Sequence, residues 1–162
     1  LMKDTIFSEL EGFVIYEPYR IKKFLQINEI KDKNLLNYLT TSELGDTITE
    51  EGIAVPITWV PPDDYKFSIL DSMPESYLAR SEGWVFKVEN GSFSIMGIGY
   101  LTNIDRINDK DVNLSFNLEN SWYSLTIVSY MEEEQKCFGL ILEKEDYKPD
   151  FYGDLEMDFL FS

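Results

Sequence analysis

The chain has 162 residues, 44% hydrophobic and 15% aromatic, with 30 acidic residues against 14 basic ones and a formal charge of −16. That length suits a single β-rich domain over residues 1–162, and so much apolar content excludes a disordered chain. The charge disfavours nucleic acid and anionic membrane as partners; the lack of histidine and the lone Cys137 remove Ser-His-Asp and Cys-His catalysis, most zinc sites and any internal disulfide.

In chain order, residues 1–20 lack an apolar h-region and a small-residue cleavage site, so the expectation is a cytoplasmic protein. Phe13-Val14-Ile15-Tyr16 reads as a short strand before Pro18. Residues 20–31 are ambiguous. Leu35, Leu36 and Leu39 have helical spacing, which predicts one N-terminal helix capped by Asp32, running to Leu44 and ended by Gly45. The period then changes to two. Ile53, Val55, Ile57 and Trp59 alternate with their neighbours, and Pro56 marks an edge strand or a bulge. After the turn Pro61-Pro62-Asp63-Asp64, Tyr65, Phe67 and Ile69 begin a return strand.

Asn90-Gly91 lies between two alternating runs, which predicts a type I′ hairpin over 83–100. In that register Glu89 faces Ser92, Val88 faces Phe93, and Trp84 falls opposite Gly97. Residues 112–119 alternate again, and 122–130 form a long strand with aromatics on both faces, so something packs on each side, the helix being the candidate. A turn at Glu132–Gln135 leads into a strand over 136–144. Leu155, Met157, Phe159 and Phe161 predict a terminal strand with Glu156 and Asp158 facing outward. About eight strands and one helix make a mainly β (β-rich α+β) fold: an antiparallel β-sandwich or a strongly curved antiparallel meander.

No motif carries chemistry. A Gly-rich phosphate loop is missing, and Gly97-Ile98-Gly99 falls inside a predicted strand. Asp105, Asn108, Asp109 and Asp111 lack the Gly and the terminal Glu of a calcium loop, so no metal and no cofactor are expected. Cys137, in an apolar run, reads as a buried inert thiol. In a plain meander the Asp105–Asp111 loop and the Glu132–Glu134 turn share one end, while Asp63, Asn90, Asn120 and Asp146 share the other. The first end pools Asp105, Asp109, Asp111, Glu132, Glu133 and Glu134 beside Tyr130, Met131 and Tyr100. Acid flanked by aromatics suits a basic protein partner: charge steers the encounter and aromatic anchors supply affinity. Solubility alone also accounts for the charge.

Leu114-Ser115-Phe116-Asn117-Leu118, followed by Trp122-Tyr123-Ser124-Leu125-Thr126, resembles a hairpin of the competence-type nuclease inhibitors. In general character the chain also resembles bacterial toxin-immunity proteins. These resemblances imply a non-catalytic inhibitor, or immunity protein, that neutralises a basic nuclease-type toxin by occlusion. One competing reading is a carbohydrate-binding sandwich module with Trp59, Trp84 and Trp122 on an open face. Others are a carboxylate-based hydrolase, and self-association through the helix edge or the Pro56 strand.

Overall fold

The computed structural model describes residues 4–41 and 43–161. In chain order the elements are β1 (Thr5–Phe7), β2 (Phe13–Tyr16), α1 (Pro18–Ile27), α2 (Leu35–Thr41), α3 (Leu44–Glu50), β3 (Ala54–Ile57) and β4 (Asp64–Ile69), then β5 (Ala79–Val88), β6 (Ser92–Gly97), β7 (Asn113–Asn117), β8 (Ser121–Glu132) and β9 (Gln135–Glu145). Three 3-10 turns, Glu9–Glu11, Ile98–Thr102 and Ile104–Asn108, join them.

The strands form two sheets, ordered β1-β4-β9-β8-β5 and β3-β2-β6-β7. They pack face to face as a sandwich, as expected. The shared core takes Tyr65, Phe67, Phe86, Leu125 and Phe138 from one sheet and Phe13, Ile15, Val55, Phe93 and Ile95 from the other. Phe13 meets Phe67 edge-on at 4.9 Å, an arrangement the ring quadrupoles favour. Pro56 sits on β3, an edge strand, where its missing N–H costs no ladder bond. The outer face of the four-stranded sheet presents Val14, Tyr16 and Met96 to a helical layer anchored by Ile21, Phe24, Leu35 and Ile48.

The Asn90-Gly91 hairpin does not form. β5 pairs with β8 in one sheet, and β6 pairs with β2 and β7 in the other. The backbone groups a hairpin would use are engaged elsewhere. Glu89 and Asn90 donate their N–H groups to the Glu17 carboxylate, each at 2.8 Å. Gly91 donates to Asn120 Oδ1 at 2.7 Å. A type I′ turn needs both central residues left-handed, and only Gly91 is, at φ 76°. Val88 and Phe93 still face inward, but across the sandwich, with the Phe86 and Phe93 rings 5.6 Å apart. Trp84 packs against Gly153 instead of Gly97, and its indole N–H donates to Ser81 Oγ at 2.9 Å. The two halves of the 114–126 segment likewise lie in different sheets, as β7 and β8.

Four more expectations are corrected. The structure holds three α-helices where one was expected. Asn34, not Asp32, caps α2: its Oδ1 accepts the Asn37 N–H at 3.0 Å. Gly45 sits inside α3, pressed so close to the Leu39 carbonyl that a Cβ would collide with it. β4 pairs with β9 in parallel, the one exception to antiparallel pairing among the described strands. The outer face of β8 is covered not by a helix but by Leu70 and Met73, which pack on Val128, Tyr130 and Cys137. Finally, residues 149–161 form no strand. Asp154 Oδ1 accepts the Glu156 N–H at 2.9 Å and Asp158 Oδ1 accepts the Leu160 N–H at 2.8 Å. Such local bonds compete with a ladder. The segment is a strap whose Phe151, Met157, Phe159 and Phe161 still reach the core. Among the described residues no helix is long and apolar enough to cross a membrane.

Candidate partner-binding surface

One end of the sandwich gathers acidic turns because of strand register. Glu132 faces Gln135 across the tight turn Glu133-Glu134, with Glu133 at φ 56°. β4 runs parallel to β9, so Asp63 and Asp64 arrive at this same end. Lys136 Nζ donates to Asp63 Oδ2 at 2.8 Å, and Lys66 Nζ to Glu132 Oε2 at 3.0 Å. The bond from Lys136, helped by the Asp64 N–H, holds the Asp63 carboxyl below its ordinary range. The meander puts Asp63 at the opposite end, and the parallel pair reverses that placement. Glu133, Glu134 and Asp64 are exposed, and no ion pair among the described residues engages them.

The remaining predicted positions divide. Asp111 lines a hollow of about 230 Å³ with Asp64, Tyr100, Thr5 and Phe7, so it belongs with this end. Asp105 lies on the 3-10 turn Ile104–Asn108 of the helical layer and Asp109 caps its end. Asp105 accepts from Lys33 at 2.9 Å and Asp109 from Arg106 at 2.8 Å. The Arg106 guanidinium sits 5.0 Å from the centre of the Tyr100 ring. Tyr130 is 7% exposed and packs against Cys137, so its ring is a core contact.

This end also has an apolar part, from which the sequence offers only Trp59, and that as a contact for carbohydrate. Trp59 is 65% exposed with φ 61°, and Leu10 is 64% exposed with φ 58°. They stand close together, since Val60 donates its N–H to the Glu11 carbonyl at 2.9 Å. Left-handed backbone at bulky residues costs roughly 1–3 kcal/mol each and concentrates where proteins bind or react. No local signal marks Leu10, and by alternation Trp59 reads as an inward member of a strand.

At the other end an open hollow is lined by Lys87, Glu89, Trp122, Glu145 and Asp146. Lys87 Nζ lies 4.7 Å from the centre of the Trp122 ring. Burial raises the Glu89 pKa, but Lys23, Arg20 and Lys87 outweigh it and hold the carboxyl below its ordinary range. Glu17 is shifted upward, chiefly by burial. A raised carboxylate in a cleft is what a hydrolase would need. Glu17, however, does not line the hollow, and both its oxygens are held by backbone N–H groups. Trp84 is buried while Trp59 and Trp122 stand at opposite ends, so the three tryptophans form no common face. Among the described residues no group of three or more Cys, Asp or Glu is placed to hold a metal ion. Cys137 is fully buried and its thiol is pushed up by that burial.

No protein-family model and no curated protein matches this chain. Among solved structures it is similar to ComJ from Bacillus subtilis, described as an inhibitor of the DNA-degrading activity of NucA. The likeness covers 90% of this chain and 99% of that one, with a TM-score of 0.50 and 13% identity. The shared feature is the fold. It spans nearly the whole molecule, well beyond the segment 114–126 on which the sequence resemblance rests.

Proposed function

We propose that this chain is a non-catalytic inhibitor, of the immunity-protein kind, that neutralises a basic nuclease by covering its phosphate-binding surface. The observation that carries the reading is the end of the sandwich described above. There Asp63, Asp64, Asp111, Glu132, Glu133 and Glu134 gather beside exposed Trp59 and Leu10. Asp64, Glu133 and Glu134 compete with DNA for the partner's lysines and arginines, Asp63 and Glu132 exchange Lys136 and Lys66 for them, and the apolar residues supply contact area once charge has steered the encounter. Asp105 and Asp109, already paired with cations, are assigned to the edge of this surface, and Tyr130 to its support from beneath. The ComJ likeness favours the same reading, because that fold serves a nuclease inhibitor.

The test is inhibition of DNA degradation by a nuclease fraction from the native organism. The wild-type protein suppresses degradation at low salt and progressively less as salt rises. The triple variant Glu132→Lys, Glu133→Lys, Glu134→Lys loses at least tenfold in potency. Degradation untouched by the wild-type protein, or suppression indifferent to both salt and charge reversal, refutes the proposal.

A further inference from the structure

A second feature of the surface has a different chemistry. Between α2, α3 and the β3 edge lies a cleft of about 240 Å³, lined chiefly by Leu36, Leu39, Ile48, Pro56, Leu101 and Leu155. It exists because β3 is an edge strand and α2 and α3 are short, so the helical layer leaves a gap beside Pro56. The strap closes one side: Thr58 Oγ1 donates to the Leu155 carbonyl at 2.9 Å. Exposed Trp59 follows directly on Thr58, which itself lines the cleft.

Size and charge define what fits. Small-molecule pockets span roughly 300–1,000 Å³. This cleft is smaller, which suits one bulky side chain rather than a whole metabolite. Among the described residues Asp46 is the sole charged one in its lining. Most of the lining comes from stretches without lysine or arginine, residues 34–65, 88–105 and 149–162, and in sequence Glu43, Glu50, Asp154 and Glu156 stand near lining residues. An apolar hole whose one charged lining residue is an aspartate favours an apolar side chain flanked by positive charge.

We infer that this cleft is the anchor site for the basic partner, receiving one large aliphatic or aromatic side chain that lysines or arginines flank on the partner's surface. The inference rests on the proposed basic partner and adds where its affinity is concentrated. A single desolvated anchor in a preformed hole, ringed by weaker polar contacts, is how protein interfaces concentrate binding energy.

Peptides test it on the full chain, labelled with ¹⁵N and followed by amide chemical shifts. The probes are Lys-Lys-Phe-Lys-Lys, Lys-Lys-Ala-Lys-Lys and Glu-Glu-Phe-Glu-Glu. The basic Phe peptide shifts the amides of Leu36, Leu39, Ile48 and Thr58 and binds at least tenfold more tightly than either control. Thr40→Trp, at an exposed position lining the cleft, fills the mouth and abolishes the preference for Phe over Ala while leaving the melting temperature unchanged. Asp46→Lys, also exposed, is the second variant and weakens the Phe peptide at least threefold. Equal affinity for the Phe and Ala peptides, or shifts confined to the Glu132–Glu134 turn, overturns the anchor site but leaves the basic-partner reading standing. An acidic peptide that binds as well as the basic one overturns both.

Discussion

Glu17 is the residue whose removal most directly probes how the two sheets are joined. Its carboxylate accepts the N–H groups of Glu89 and Asn90 at 2.8 Å each, and the residue is 1% exposed. Glu17→Ala therefore leaves two donors at the corner without a partner. Hydrogen bonds to a charged group contribute about 1.5–3 kcal/mol each. The burial that raises the Glu17 pKa works against the charged form and offsets part of that gain. The net expectation is a loss of about 3 kcal/mol, or about 6–12 °C in Tm for a chain of this size. Glu17→Gln keeps one acceptor oxygen but turns an NH2 group toward the second donor, so it falls between wild type and Ala. Urea unfolding at pH 7, followed by tryptophan fluorescence, measures both variants. If Asn90-Gly91 closed a hairpin instead, Glu17 would have no such role and its truncation would cost little. A loss below 1 kcal/mol for Glu17→Ala refutes the corner as described.

Two further outcomes are expected. Gly83 has φ +88°, and a Cβ there would lie 2.5 Å from the Tyr152 ring, so Gly83→Ala costs about 2–4 kcal/mol by thermal unfolding. The double variant Gly83→Ala, Tyr152→Ala removes the ring clash but neither the 2.8 Å approach to the Tyr152 backbone carbon nor the backbone strain, so it recovers only part of the loss, and a neutral single variant contradicts the close packing of the strap on β5. Tyr16 and Tyr65 are buried and their phenols are pushed up to about 12, from 10.0, chiefly by that burial. Between pH 10 and 12 the unfolded chain gives up these protons while the folded one keeps them, so stability falls as pH rises across that window. Tyr16→Phe, which also loses a 2.6 Å bond to the Ile107 carbonyl, flattens the slope. A wild-type stability curve level from pH 9 to 12 contradicts the assignment.

Much of the candidate surface was legible because acidic turns are short-range features. The tight turn at Glu133-Glu134, the exposure of the three glutamates and the burial of Cys137 all follow from local alternation. What local reading missed depends on pairing between distant segments. Asp63 joins the Glu132 end because β4 lies parallel to β9, and no turn of the chain dictates that pairing. Trp59 and Leu10 stand out only through their left-handed backbone, which residue type does not announce at a Trp or a Leu. The apolar cleft exists because Asn34 starts α2 late and Gly45 lets α3 begin against Leu39, dividing what leucine spacing reads as one helix.

By itself the sequence settled most of the inward-facing residues and that the product is mainly β, with sandwich and curved meander both open; Trp59, exposed, and Tyr130, buried, escaped it. Side-chain alternation has a period of two whatever the partner strand, so Phe86 and Phe93 were destined for the core before any sheet was assigned. Tertiary structure alone decided which sheet each strand joined. At Asn90-Gly91 local propensity favours folding β6 back on β5. The Glu17 carboxylate and the Asn120 side chain, 72 and 29 residues away from their partners, take the donors that fold-back would need. A buried N–H goes to whichever acceptor the packed molecule brings to it, and here that acceptor came from far along the chain.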